Sequence, residues 1–436
     1  MRAQHVTTAQ GFILKRAPKR ALVLGLARSG EAAALVLRSQ GVEVVGYDRD
    51  LALDPAVAGR LAAAGVEIQL GEEDDALLRG IDAVIKSPGF PGDRPLVAAA
   101  RVRGVPVLSE IELGARLLAN PLIGITGTNG KTTTTALLGA MFDAAERGAE
   151  VVGNIGRPLT SLVGRVADDS WIVCELSSFQ LEDVDTLRPR IAVLLNLEPD
   201  HIDRHGSFAA YRDAKLRVFE RQTAEDVAVV PRGFGAVPGA GRRVEFAGDD
   251  VLPAEPRIPG AHNRENAAAA VAAARAAGLE EDAIAATLRS FPGVEHRIEE
   301  LREVGGVRFV NDSKATNVAA ARCAIASFAA PLHIILGGRG KQESYDSLAA
   351  DLGPSDRAYL IGEAASEIGD ALEQAGINFE QCGDLASALR AAVAAAQPGD
   401  IVLLSPACAS FDQFVDYEHR GDEFRRLVDE LAGAPR

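Results

Sequence analysis

A strand, a glycine-rich turn and a Lys-Thr pair opening a helix constrain this chain more than any other stretch. Pro121 to Ile125 is a short apolar run that predicts a strand. Thr134 to Ala145 predicts a helix with Leu137, Leu138, Met141 and Phe142 on one face. Between them lies Thr126-Gly127-Thr128-Asn129-Gly130-Lys131-Thr132-Thr133. This order aims backbone N–H groups and a helix N-terminus at a phosphate chain. Lys131 is placed to reach the terminal phosphates and the Thr132 hydroxyl to ligate Mg²⁺. The spacing departs from the usual one: Ile125 stands six residues before the lysine, where glycine is common, and Gly127 stands four before it.

The sparing use of lysine narrows the search. Of 46 cationic residues only 7 are Lys, at 15, 19, 86, 131, 215, 314 and 341. Arginine and lysine differ in shape, hydration and the ease with which the pKa falls. The five lysines beyond the first twenty residues are therefore candidates for chemistry.

A length of 436 residues allows two to four domains. The net charge of −15 argues against a general nucleic-acid binder. An anionic substrate must then be met by local cations and helix N-termini. Four dispersed cysteines (174, 323, 382, 408) form no Cys-x-x-Cys pair, and Cys174 and Cys408 read as buried thiols. The first twenty residues hold no apolar run long enough for a signal sequence, and no run approaches a membrane span. A cytoplasmic location without membrane contact is expected.

The chain reads as three α/β blocks. In residues 1–110, strands at 21–24, 42–45, 83–85 and 106–108 alternate with helices, and the turn Gly25-Leu-Ala-Arg28-Ser29-Gly30 mimics a dinucleotide fingerprint with Ala27 in the middle glycine position. Asp48 ends the second strand, where a ribose-binding acid stands in such folds. In residues 111–297, strands at 171–174 and 191–195 lead into Glu175-Leu-Ser-Ser-Phe-Gln180 and Asp200-His201-Ile-Asp-Arg-His205, and a helix from Tyr211 to Glu220 carries Lys215. In residues 298–436, strands at 308–310, 333–336, 358–361 and 401–404 exit into Asn311-Asp312-Ser-Lys-Ala-Thr316-Asn317, Gly337-Gly-Arg-Gly340-Lys341, Gly362-Glu363 and Ser405-Pro-Ala-Cys-Ala-Ser410-Phe411-Asp412. Polar exits from parallel strands are where open α/β sheets bind ligands.

These motifs, over nearly the whole chain, resemble those of the Mur ligases, the ATP-dependent amide ligases of peptidoglycan synthesis. The resemblance implies a Rossmann-like N-terminal domain, a central P-loop ATPase domain and a Rossmann-like C-terminal domain. The turns at 311–317 and 405–414 are similar to the branch that joins D-glutamate to UDP-N-acetylmuramoyl-L-alanine; another Mur-type or folylpolyglutamate-type ligase is the alternative. A carboxylate is a poor acyl donor, so the implied reaction uses ATP to make an acyl phosphate, which the amine then attacks. A P-loop switch leaves the third block unexplained, and a dinucleotide-binding regulator explains only the first.

The resemblance also distributes roles. Gly127, Thr128, Asn129, Gly130, Lys131, Thr132 and Thr133 would hold ATP, with Asn263 and Asn266 at the adenine and Arg297 and Asp312 at its ribose and phosphates. Thr132, Glu175 and His201 would bind Mg²⁺. His201 alternatively orients the nucleophile, or is a structural histidine at a strand exit; His205 and His262 read as structural. Lys215 alone reads as a solvated helix lysine, whereas the resemblance makes it a carbamylated metal ligand. Arg28, Ser29, Asp48 and Gly89 align with a uridine-diphosphate site and Asn154 with a muramoyl-alanine contact. Thr316, Lys341, Ser410 and Phe411 would meet the amino acid, and Tyr417 stands where the family often has Phe. A monomer is expected.

Overall fold

The computed structural model describes residues 18–154, 156–340 and 343–433. Lys341 lies outside the described residues. Three sheets organise the chain, and it divides into two compact units: one takes the chain up to Glu255 and then Glu265–Ser290, the other Pro256–Arg264 and Phe291 onward. The first two sheets belong to the first unit and the third to the second.

The first sheet contains β1 (Arg20–Leu24), β2 (Glu43–Asp48), β3 (Glu67–Leu70), β4 (Ala83–Lys86) and β5 (Val107–Ser109), all parallel in the order β3-β2-β1-β4-β5. Along β1, Ala21 and Val23 enter one core cluster and Leu22 and Leu24 the other, so both faces are covered. A continuous apolar run is what a strand buried on both faces requires. The chain leaves β1 for β2 on one side and returns to β4 on the other. The crevice between β1 and β4 is thus the topological switch point, where the turns after these strands meet a ligand.

The second sheet contains β6 (Leu122–Thr126), β7 (Ala149–Gly153), β8 (Trp171–Glu175), β9 (Ile191–Leu194), β10 (Val227–Pro231) and β11 (Arg242–Phe246) in the order β11-β10-β9-β6-β8-β7, again parallel. β6 lies between β8 and β9, so the exits at 126, 175 and 194 stand side by side.

The third sheet contains β12 (Glu299–Val304), β13 (Val307–Asn311), β14 (Leu332–Gly337), β15 (Arg357–Ile361), β16 (Asn378–Gly383) and β17 (Ile401–Leu404) in the order β12-β13-β17-β14-β15-β16. β12 and β13 form an antiparallel hairpin, closed by Gly305 and Gly306 at φ +63° and +84°. Positive φ at both central residues matches the twist of the flanking strands. The remaining pairs are parallel.

Several expected bounds shift. The helix expected from Glu31 begins at Arg28, and the one expected from Thr134 begins at Lys131, directly after the loop. The helix expected over Tyr211–Glu220 is Phe208–Leu216 followed by a tighter turn at Arg217–Phe219, with the Ser207 side chain capping its start. The alanine-rich helix begins at Ala261, so Asn263 and Asn266 lie on it and not before it. Among the described residues no helix is long and apolar enough to cross a membrane.

Candidate active site

The phosphate-binding loop is shaped by two glycines. Gly127 has φ +154°, and a Cβ there would lie 2.9 Å from the Leu195 Cβ. Gly130, at φ +83°, caps the helix Lys131–Ala144; a Cβ on it would come within 2.0 Å of the Asn266 Oδ1. Only glycine meets both demands. The loop is also held from β9: Asn196 Oδ1 accepts from the Asn129 N–H at 2.9 Å, and Thr128 Oγ1 lies 3.0 Å from the Tyr211 hydroxyl. Asn196 is read from sequence as the polar end of its strand, though without its contact to the loop, and Tyr211 only as the start of a helix.

Lys131 Nζ donates to the carbonyls of Gly127 at 2.9 Å and Thr128 at 2.7 Å. Lys215 Nζ donates to the same Gly127 carbonyl at 2.7 Å. Lys215 is buried, at 2% exposure, so the reading of a solvated surface lysine is overturned. Burial, reinforced by the Lys131 charge, holds its pKa well below the ordinary lysine value, against the opposing pull of Asp200 and Glu175. A neutral amine is thereby brought within reach.

Glu175 ends β8 at 2% exposure. Asn154 donates its N–H to the Glu175 carbonyl at 2.9 Å and its side-chain amide to Oε1 at 3.1 Å. The other oxygen, Oε2, is buried without a hydrogen-bond partner. A buried acceptor left unpaired is costly, and a cation satisfies it. Among the described residues no three His, Cys, Asp or Glu side chains stand together as a ready-made metal site. A metal held here therefore needs ligands of other kinds, such as the Thr132 hydroxyl, half-buried at the helix N-terminus together with the buried Thr133.

His201 takes φ +52° and opens the short helix Ile202–His205. Its ring stands edge-on to Phe179 at 4.8 Å, and Nε2 is 3.6 Å from Asp200 Oδ2. His205, expected to be structural, joins a polar line: Nε2 is 3.0 Å from Ser178 Oγ and Nδ1 3.3 Å from Glu182 Oε1.

At the first sheet, Gly25 and Gly30 meet so closely that a Cβ on Gly30 would lie 1.7 Å from the Gly25 carbonyl oxygen. Asp48 Oδ2 accepts from the Leu26 N–H at 2.7 Å, which fixes the turn carrying Arg28 and Ser29. Gly89 lies in the Ser87–Phe90 turn after β4, exposed at the switch point.

In the second unit, Asp312 is fully buried. It accepts from Ser405 Oγ at 2.7 Å and the Ile298 N–H at 3.2 Å, and the Arg297 guanidinium is 3.8 Å away. Burial outweighs these partners and pushes its carboxyl up to about 6. His296 and Ile298 flank Arg297 at φ +61° and +46°. Left-handed backbone is strained at a β-branched residue, and such strain clusters at binding sites. Asn263 donates its amide to the Pro259 carbonyl at 2.7 Å.

The turns of the third sheet are tied together. Arg339 and Ala409 exchange backbone hydrogen bonds at 2.9 and 3.0 Å, joining the exit of β14 to that of β17. Arg420, missed from sequence, is fully buried; it donates to Ser313 Oγ at 3.0 Å, the Ser313 carbonyl at 2.8 Å and the Cys408 carbonyl at 3.1 Å. Burial lowers its guanidinium to about 10. Ser410 is buried in this cluster, Phe411 is exposed and Thr316 half-buried. The Tyr417 hydroxyl accepts from Lys314 Nζ at 3.2 Å.

Three α/β sheets, a phosphate loop and a glutamate at the adjoining strand exit agree with the comparisons. Residues 19–109 match the Mur ligase MurD-like N-terminal domain, 125–234 the Mur ligase middle domain and 296–408 the Mur ligase glutamate ligase domain. The chain belongs to the Mur ligase family. It is 42% identical to the UDP-N-acetylmuramoylalanine--D-glutamate ligase of Acidobacterium capsulatum, over 94% of this chain and 96% of that one. With the enzyme of that name from Anaeromyxobacter dehalogenans it shares 44% identity, over 95% and 98%. Among solved structures, the UDP-N-acetylmuramate-alanine ligase MurC of Thermotoga maritima has a TM-score of 0.60 at 19% identity, covering 95% of this chain and 99% of that one. The MurF ligase of the same organism, in complex with ADP, also gives 0.60, at 17% identity and 94% and 98% coverage. These two likenesses concern the fold alone.

Proposed function

We propose that this protein is an ATP-dependent amide ligase that adds D-glutamate to UDP-N-acetylmuramoyl-L-alanine. The observation that carries the reading is the pair of lysines, Lys131 and Lys215, converging on one carbonyl beside the glycine loop and a buried glutamate. The choice of substrates rests on relatives about 40% identical over most of the chain that bear that name. The motif-level alternative, a folylpolyglutamate-type ligase, has no such support.

Phosphoryl transfer is mainly positioning and charge neutralisation. The N–H groups of the loop and the helix N-terminus receive the triphosphate, and Lys131 turns from its carbonyl partners toward it. The loop cannot close on Gly127 and Gly130 if either carries a side chain. Asn266, against Gly130, lines the nucleotide side. Thr132, Glu175, His201 and a carbamylated Lys215 are the residues that would hold Mg²⁺, with Glu175 Oε2 as its buried anionic oxygen. Mg²⁺ bound there would supply charge stabilisation for the transferring phosphoryl group. Carbamylation forms an N–C bond between the neutral Lys215 amine and CO₂, with loss of one proton; burial supplies that neutral amine.

The blocks 1–110, 111–297 and 298–436 then serve the uridine nucleotide, ATP and the amino acid respectively. Arg28, Ser29, Asp48 and Gly89 face the first, and Asn154 the muramoyl-alanine arm. Arg297 and Asp312 contribute to ATP, as does Asn263. Thr316, Ser410 and Phe411 backbone groups, with Lys341, receive the two carboxylates of D-glutamate. A cytoplasmic location agrees with four free cysteines, two of them buried.

Oxygen transfer tests the acyl-phosphate route. With both carboxylate oxygens of the sugar acid labelled with ¹⁸O, one label should appear in the inorganic phosphate of each turnover. Label retained wholly in the amide product and unreacted acid would overturn it.

A further inference from the structure

Of the five lysines beyond the first twenty residues, Lys131, Lys215 and Lys341 have places in the proposed reaction, whereas Lys86 and Lys314 have none, and of these two Lys86 is the buried one. It is fully buried at the end of β4, one residue before the Ser87-Pro88-Gly89 turn. Its Nζ lies 3.1 Å from Glu182 Oε2 and 3.0 Å from Asp183 Oδ2. Arg101 pairs with the other Asp183 oxygen at 2.8 Å, and the Ser109 N–H donates to the Asp183 carbonyl at 2.9 Å. Residues 182–183 are thus where the first sheet is fastened to the second.

The same segment reaches the elements that carry the reaction. Glu182 Oε1 faces His205 Nδ1 at 3.3 Å, and His205 closes the helix that His201 opens. The His205 ring stacks on Phe179 with centroids 5.3 Å apart, and its Nε2 meets Ser178, three residues after Glu175. The Glu182 carbonyl accepts from Arg217 Nη1 at 2.8 Å, and Arg217 follows the helix carrying Lys215. The Ser178-His205-Glu182 line has the order of a hydrolytic triad. Ser178 is buried, however, so no substrate reaches its hydroxyl, and the line is a clamp.

We propose that Lys86 is a positioning residue for the ligase reaction: its ammonium holds Glu182 and Asp183 together, and through them sets Glu175, His201 and Lys215 in place. Removing the cation leaves the two carboxylates side by side with only Arg101, on Asp183, and His205, beside Glu182, to offset them, and stripping one partner from a largely buried ion-pair cluster is destabilising. The inference rests on the proposed function, and the wild-type assay separates the two: an inactive wild type refutes that function, whereas an active wild type indifferent to Lys86 refutes this role.

The test measures phosphate release and thermal unfolding for full-length Lys86→Met, Lys86→Arg, Glu182→Gln, His205→Phe and the double variant Lys86→Met/His205→Phe. Folded Lys86→Met should lose about 10- to 100-fold in kcat, as outer supports of a metal site do, while KM for ATP and D-glutamate stays within about twofold. Lys86→Arg should recover most of the loss. The double variant should lose no more than the worse single variant, since coupled residues are not additive. If Lys86→Met does not fold, Glu182→Gln, at a partly exposed carboxylate, should show the same drop in kcat. Near wild-type kcat in a folded Lys86→Met or Glu182→Gln, or losses that multiply in the double variant, would overturn the proposal.

Discussion

Lys131 and Lys215 donate to one and the same acceptor, the Gly127 carbonyl, at 2.9 and 2.7 Å. Two ammonium groups sharing one oxygen repel each other, and that repulsion is part of what lowers the Lys215 pKa. The cluster favours either a neutral Lys215 or one converted to an anion.

The first prediction concerns that conversion. Lys215→Arg keeps a positive charge yet cannot form the carbamate, so it should be as damaging as Lys215→Ala, each losing about 100-fold or more in kcat. Formate or acetate should partly restore the Ala variant by filling the vacated space with an anion. Steady-state kinetics check both; a near-normal Lys215→Arg enzyme contradicts the carbamate role.

Gly130→Ala should disable nucleotide binding. The new methyl meets Asn266 at 2.0 Å on a backbone of φ +83°, so the loop must shift. KM for ATP should rise at least about tenfold, given strain of roughly 1–3 kcal/mol before any clash is counted. Calorimetric titration with ADP measures the same loss directly.

Tyr417→Phe removes only the hydroxyl that accepts from Lys314. One such hydrogen bond contributes about 1 kcal/mol, so kcat should stay within about threefold and Tm should fall by a few degrees at most. A collapse of D-glutamate affinity would instead place the hydroxyl on the substrate.

Glu110 predicts a pH dependence of stability. It is fully buried, its Oε1 accepting from the Thr160 N–H and hydroxyl, each at 2.7 Å, and burial pushes its carboxyl up from 4.5 to about 7. Below pH 4.5 both folded and unfolded chains hold the proton. Between 4.5 and 7 the unfolded chain releases it first, so stability falls as pH rises, by on the order of 3 kcal/mol in total. Glu110→Gln cannot ionise and should flatten this part of the profile. Urea unfolding of both proteins from pH 4.5 to 8 gives the difference; parallel profiles contradict it.

Much of this was legible in the residues because parallel strands buried on both faces read as apolar runs ending in polar turns. β1, β6, β8 and β17 are of that kind. Among the strands missed, β3, β11, β12 and β16 are edge strands whose side chains are largely exposed, so no apolar run announces them, and β7 is a half-exposed edge strand. β10 was missed for no such reason: it is an interior strand whose Val227–Val230 run is apolar and buried. Burial of charge was the other blind spot. Lys215 and Arg420 sit on helices with charged neighbours in sequence, and only tertiary packing shows that they face inward. The Lys86 and Glu182 pair joins residues 96 apart, a separation that one sequence does not reveal.

Phosphate release from ATP tests the central claim most directly. Purified protein with ATP and Mg²⁺ should release phosphate only when UDP-N-acetylmuramoyl-L-alanine and D-glutamate are both present, in a ratio of one phosphate to one amide formed. L-glutamate, L-lysine or a folate substrate should not replace them. Release without the sugar acid, or equal turnover with L-glutamate and D-glutamate, would contradict the account.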